Sequence, residues 1–153
     1  MILETTPTIT TTGYHIYHNF TIAATAEEVF NAITLPKHLI QWWPLQCNGV
    51  PKKNEVYNFF FSPEYNWYGK VLHLEKNKAF YIQMTAADTD WTPTSFGFDL
   101  HPKNDKVHIE FWHKNWQECN AHFKTSSFCW ALLLKGLKDY LEKGVVIPYK
   151  ERA

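Results

Sequence analysis

From Tyr14 to Ala23 the stretch YHIYHNFTIA puts Ile16, His18, Phe20 and Ile22 on one side and Tyr17, Asn19 and Thr21 on the other. That two-residue alternation predicts a half-buried strand. Thr25 then precedes Ala26, Glu27 and Glu28, an N-cap with acidic residues in the first turn, while Val29, Phe30 and Ile33 supply one apolar face. The short helix so defined ends before Pro36. Proline is a good first helical residue, and a second brief helix is expected from Pro36 through Leu39, Ile40 and Trp43, ending at Pro44.

Beyond Glu55 the pattern changes to short aromatic and branched runs separated by turn residues, as in an antiparallel meander. Strands are predicted near 55–61, 66–75, 79–86, 94–101 and 106–113. The breaks at Ser62-Pro63, Lys76-Asn77-Lys78, 87–93 and Pro102-Lys103-Asn104-Asp105 all hold turn formers. In the last strand Val107, Ile109, Phe111 and His113 form the better inward face, with His108, Glu110 and Trp112 on the other. From Ser126 to Gly144 the period becomes helical. Trp130, Leu133, Leu134, Leu137 and Leu141 make one stripe, Lys135, Lys138, Asp139 and Glu142 the opposite one, and Gly144 is the expected stop. Ala121, His122 and Phe123 can extend this helix backwards, against the weak helix formers Thr125-Ser126-Ser127. One strand, two short helices, five strands and a long helix make an α+β protein whose last helix covers the apolar side of an antiparallel sheet.

A length of 153 residues leaves room for one domain. Residues 1–13 read as a Thr-rich arm, either disordered or an added edge strand, 14–147 as the single domain and 148–153 as a tail. Fifteen basic and fifteen acidic residues cancel, so no basic field exists to attract nucleic acid or an anionic membrane surface. Aromatic residues (7 Trp, 8 Tyr, 11 Phe) outnumber the acidic ones, and they either fill a core or line a pocket. Three cysteines, Cys47, Cys119 and Cys129, lack metal-finger or redox spacing. Together with the absence of a signal-like start or a membrane-length apolar run, this predicts a soluble cytoplasmic protein with reduced thiols.

Four stretches resemble a known family. They are TIAATAEEVFNAIT from Thr21 to Thr34, the Trp42-Trp43-Pro44 cluster, the His113 to Trp116 segment, and WALLLKGLKDYLEKG from Trp130 to Gly144. In this order they resemble the START-like (SRPBCC, Bet v 1-type) superfamily, in its branch of homologues of the activator of heat-shock-protein-ninety ATPase. Two positions depart from that pattern: Asn115 and Cys129 stand where the family often has glycine. The resemblance implies a helix-grip fold, a curved antiparallel sheet of about six strands wrapped around a long C-terminal helix, with two short helices after strand one. It also implies a cavity between sheet and helix that in many relatives receives an apolar small molecule or lipid.

Strand alternation and the helix stripe supply wall candidates for such a cavity: Phe59, Phe61, Phe96, Phe98, Phe111, Trp130 and Leu134, with Trp43 and the inward His113 added. The alternative is that these rings close-pack and leave no room. On a helix Trp42 and Trp43 cannot face the same way, so one is expected in the core and the other near a rim, as a gate or as an incidental surface ring. His113 either meets a ligand's polar group or is satisfied within the core. The eight histidines form no zinc signature, and no nucleophile elbow or phosphate loop is present. No catalytic residue, metal or cofactor is therefore expected. Three functions stay open: a non-catalytic binder of an apolar molecule, a chaperone-associated protein, and a cyclase- or dehydratase-type enzyme needing a second polar group beside His113.

Overall fold

The computed structural model describes residues 12–153. The Thr-rich arm lies outside the described residues except for its last two. Seven strands form one antiparallel sheet in the order β1-β7-β6-β5-β4-β3-β2, one strand more than expected. They are β1 (Tyr14–Ile22), β2 (Gln46–Asn48), β3 (Val56–Ser62), β4 (Tyr65–Glu75), β5 (Ala79–Ala86), β6 (Ser95–Lys103) and β7 (Lys106–Trp116). The helices are α1 (Ala26–Thr34), α2 (Pro36–Leu39) and α3 (Ala121–Lys143), followed by a 3-10 turn at Tyr149–Glu151. The additional strand, β2, is a three-residue edge pairing Gln46, Cys47 and Asn48 with Phe60, Phe59 and Asn58.

Local chemistry sets the boundaries. Thr25 and Glu28 form a reciprocal capping box: the Glu28 amide donates to Thr25 Oγ1 and the Thr25 amide to Glu28 Oε1, both at 3.1 Å. The α3 cap is Asn120, whose Oδ1 accepts from the Phe123 amide at 3.0 Å, so the helix starts one and a half turns before Ser126. The weak propensities of Thr125, Ser126 and Ser127 are overridden by this cap and by the packing of the stripe behind them. At the other end Gly144 adopts the left-handed conformation at φ 66° and returns its amide to Tyr140. Asn77 and Asn104 take the same backbone region in the β4-β5 and β6-β7 turns.

Asn115 has φ 73°, which explains the family's glycine there; asparagine tolerates this region, and its Oδ1 accepts the Thr12 amide at 3.0 Å. Register shifts at Tyr14/Ile16, Phe60/Ser62, Tyr68/Gly69 and Val71/His73 bend the sheet. The inner face follows the predicted parity: Val107, Ile109, Phe111 and His113 are all buried, as are Tyr57 and Phe59 of β3. Trp130, Leu134 and Leu137 bring α3 onto this face. On the outer face Tyr81, Ala79 and Trp112 form a smaller cluster, with Trp112 Nε1 donating to Asp99 at 3.2 Å.

Both Trp42 and Trp43 are buried, a correction to the expectation of one core ring and one rim ring. The physical reason is that α2 ends at Leu39, and residues 40–43 continue as turns rather than helix. The two indoles stack with centroids 6.1 Å apart, and Trp42 Nε1 donates to the Ala32 carbonyl at 3.0 Å.

Candidate functional site

A cavity of about 370 Å³ opens between α3, the β3-β4 hairpin, the β5-β6 loop and the segment after Ile147. Each wall has a different origin. Phe61, Tyr65 and Trp67 come from the hairpin, Asp88 and Trp91 from the β5-β6 loop, and Tyr149, Arg152 and Ala153 from the last turn of the chain. From α3 come His122, Thr125, Ser126, Cys129, Trp130 and Leu133, spaced so that successive turns of one helix face meet the space. Trp43 closes the floor.

Three of the nine residues expected at a ligand site border this cavity: Trp43, Phe61 and Trp130. The other six, Phe59, Phe96, Phe98, Phe111, His113 and Leu134, are buried behind its floor and do not border it. Ring contacts show why they leave no space among themselves. Trp130 has centroid separations of 4.6 Å from Phe111, 4.9 Å from Trp43 and 5.6 Å from Phe96, and Trp43 lies 4.9 Å from Phe59. Phe98 in turn sits 5.2 Å from Phe111. These are packed aromatic distances.

His113 is held by a complete hydrogen-bond chain. Trp130 Nε1 donates to Nδ1 at 3.0 Å, and Nε2 lies 2.7 Å from Thr94 Oγ1, whose hydroxyl in turn donates to the Trp91 carbonyl. Because Nδ1 accepts, the chain assigns the neutral ring's proton to Nε2, from which Thr94 accepts. Full burial, with a smaller contribution from the nearby His122, pushes the His113 pKa down to about 3. This imidazole is a neutral structural element between the sheet and α3.

A different histidine faces the cavity. His122 Nδ1 donates to Asp90 Oδ2 at 2.9 Å, and Asn120 Nδ2 donates to the same oxygen at 3.4 Å. The carboxylate thus fixes the ring and leaves Nε2 available as a proton acceptor, with Ser126 one helical turn further along the wall. Neither half of this pair has a signal in the sequence, since Asp90 lies in a loop and His122 at the start of a helix with a disputed beginning. Ser126, Cys129 and Leu133 were legible in principle, as neighbours of Trp130 on the helix stripe. The residues after 147, expected to be a tail, instead close the cavity: the Tyr149 hydroxyl donates to the Phe61 carbonyl at 3.1 Å, and Arg152 is bonded into the 40–44 turn. Among the thiols, burial pushes Cys47 up to about 12, which makes it a poor nucleophile. No group of three or more His, Cys, Asp or Glu among the described residues is arranged to hold a metal ion. No helix among them is long and apolar enough to cross a membrane.

Comparisons with known proteins agree with this architecture. The family model for Activator of Hsp90 ATPase homolog 1-like protein matches residues 23–142. The Aha1 dimer from Colwellia psychrerythraea, solved in solution, is 28% identical with a TM-score of 0.79, covering 86% of this chain and 98% of that one. A crystal structure from Staphylococcus saprophyticus is 15% identical (TM-score 0.74, covering 88% and 96%), and one from Mesorhizobium loti 16% identical (TM-score 0.75, covering 87% and 100%); both show the fold alone. No curated protein sequence matches. Together with the seven-stranded sheet gripping α3, the match over residues 23–142 shows that this chain belongs to the family of Activator of Hsp90 ATPase homolog 1-like proteins.

Proposed function

We propose that this protein binds a small, largely apolar molecule in the cavity between α3 and the hairpin end of the sheet. The observation that carries the reading is a space of about 370 Å³ bordered by the rings of Trp43, Phe61, Trp67, Trp91 and Trp130, with a few polar groups at its edges. Ligand sites have this character, apolar walls with sparse orienting groups, and this volume lies at the lower end of their usual range. The Trp91 indole nitrogen is buried and has no hydrogen-bond partner among the described residues.

Native mass spectrometry of freshly purified protein tests the reading. The expected result is a discrete added mass that disappears on denaturation. Cys129 projects from α3 at the position where relatives often carry glycine, and it borders the cavity. Cys129→Phe is expected to fill the space and abolish the added mass, with the unfolding midpoint little changed. Bare wild-type protein would overturn the reading and leave a chaperone, the partner that the family relation suggests, as the one to test next.

One observation favours a second reading, in which the bound molecule is also transformed. The Asp90-His122 pair is a fixed proton acceptor at the cavity edge. On this reading His122→Gln protein co-purifies with an unreacted molecule, and wild-type protein converts that molecule to the mass it carries itself. Identical masses on both proteins would sink the catalytic reading and leave binding intact.

A further inference from the structure

Arg152 stands in the wall of an aromatic cavity and has no counter-ion among the described residues. Its Nε donates to the Ile147 carbonyl at 2.8 Å, and Nη1 is shared among the carbonyls of Ile40 at 2.8 Å, Pro44 at 3.4 Å and Trp43 at 3.5 Å. All four acceptors are neutral. They fix the plane of the guanidinium without compensating its charge. Nη2, with two further N–H groups, has no acceptor among the described residues, and no carboxylate among them lies within 4.0 Å of the side chain. The group is half-buried, and burial already works against its charged form. A partly desolvated charge held in this way is costly unless something pairs with it. The Tyr149 ring, 5.8 Å from the guanidinium carbon, gives only a weak contact.

We propose that the ligand of this cavity is an amphiphile with an anionic end, a carboxylate or a group of like geometry, and that Arg152 receives that end through its open Nη2 edge. This rests on the cavity being a ligand site. The arginine fork matches carboxylate oxygens in plane, which a lysine ammonium does not. The distribution of the other charges sets the polarity of binding. Arg152 and Leu133 share the wall at one end of the α3 face, whereas His122, paired to Asp90, stands eleven residues earlier, roughly 16 Å away along the helix axis. Asp88 lies on the β5-β6 loop with that acidic group. The acidic side chain that borders the cavity, Asp88, lies at that end with Asp90 beside it, and the arginine at the other, so the apolar body lies over Trp130 and Trp91 with its acid towards Arg152.

Isothermal titration calorimetry with 2-naphthoate and its neutral counterpart 2-naphthamide tests this on the full chain. Wild-type protein is expected to bind the acid at least about tenfold more tightly. Arg152→Gln should bring the acid down to the amide's affinity and leave the amide unchanged, and Arg152→Lys should recover only part. Because Arg152 also pins the 40–44 turn, the wild-type salt response provides a control free of any variant. Raising sodium chloride from low to high concentration should weaken the acid and spare the amide. Equal affinity of acid and amide for the wild type, or equal loss of both in Arg152→Gln, overturns the anionic end while the cavity remains a ligand site. Failure of both probes to bind the wild type overturns the ligand reading itself. Decanoate compared with 1-decanol repeats the test on an aliphatic body, and whichever acid binds more tightly identifies the source as lipid-derived or aromatic.

Discussion

Trp130→Ala is expected to cost about 3–5 kcal/mol in urea or guanidinium unfolding, the range for removing a large buried aromatic side chain. The indole is 1% exposed and packs on Phe111, Trp43 and Phe96, so its loss opens a hole at the junction of sheet, α2 turn and helix. It also removes the donor that satisfies His113 Nδ1. Trp130→Phe separates these contributions: it keeps most of the packing and leaves one buried acceptor unpaired, with an expected cost of about 1–3 kcal/mol. A loss below roughly 1 kcal/mol in the alanine variant would mean that the ring is not part of the core.

The second large effect depends on pH. His113 stays neutral in the folded protein down to about pH 3, whereas in the unfolded chain an ordinary histidine takes a proton below about 6.5. The unfolded state therefore binds more protons between those values. The stability is intact above the unfolded pKa and is lost as pH falls through the window, at up to about 1.4 kcal/mol per pH unit. His15 and His38 are also lowered by burial and add loss of the same sign, so the readout is a difference of slopes. Between pH 6.5 and 5, above the range where Asp139 and Glu142 titrate, His113→Gln should show a shallower fall in unfolding free energy than the wild type. Parallel slopes would remove His113 from the account.

The parts of this fold that could be read in the sequence are those where a period repeats often enough to name a face. β7 alternates from Lys106 to Phe111, and the α3 stripe runs for three turns, so both elements declare their inward residues. β2 is too short for any alternation to register, and it exists because the Phe59-Phe60 backbone offers it a partner. Helical geometry extended past Leu39 sends Trp42 and Trp43 to different faces, whereas the turns that actually follow Leu39 bury both rings. The cavity was less legible than the core for a related reason. Strand alternation identifies what faces inward, and it identified Phe59, Phe96, Phe98 and Phe111, but inward residues in the middle of a sheet are the ones that pack most closely. Space remains at the end of the sheet, where Asp88, Trp91, Tyr149 and Arg152 arrive from segments with no repeating pattern.

Four of the seven tryptophans, Trp43, Trp67, Trp91 and Trp130, border the same 370 Å³ space. The protein accordingly carries its own optical reporter: its ultraviolet emission arises largely from rings that a bound molecule would touch. Trp91 and Trp130, stacked at 5.9 Å with 24° between their planes, and Trp67 and Trp91, at 4.7 Å, are close enough to exchange excitation. A guest that quenches one of them darkens its neighbours as well, so occupancy can be followed without attaching a dye.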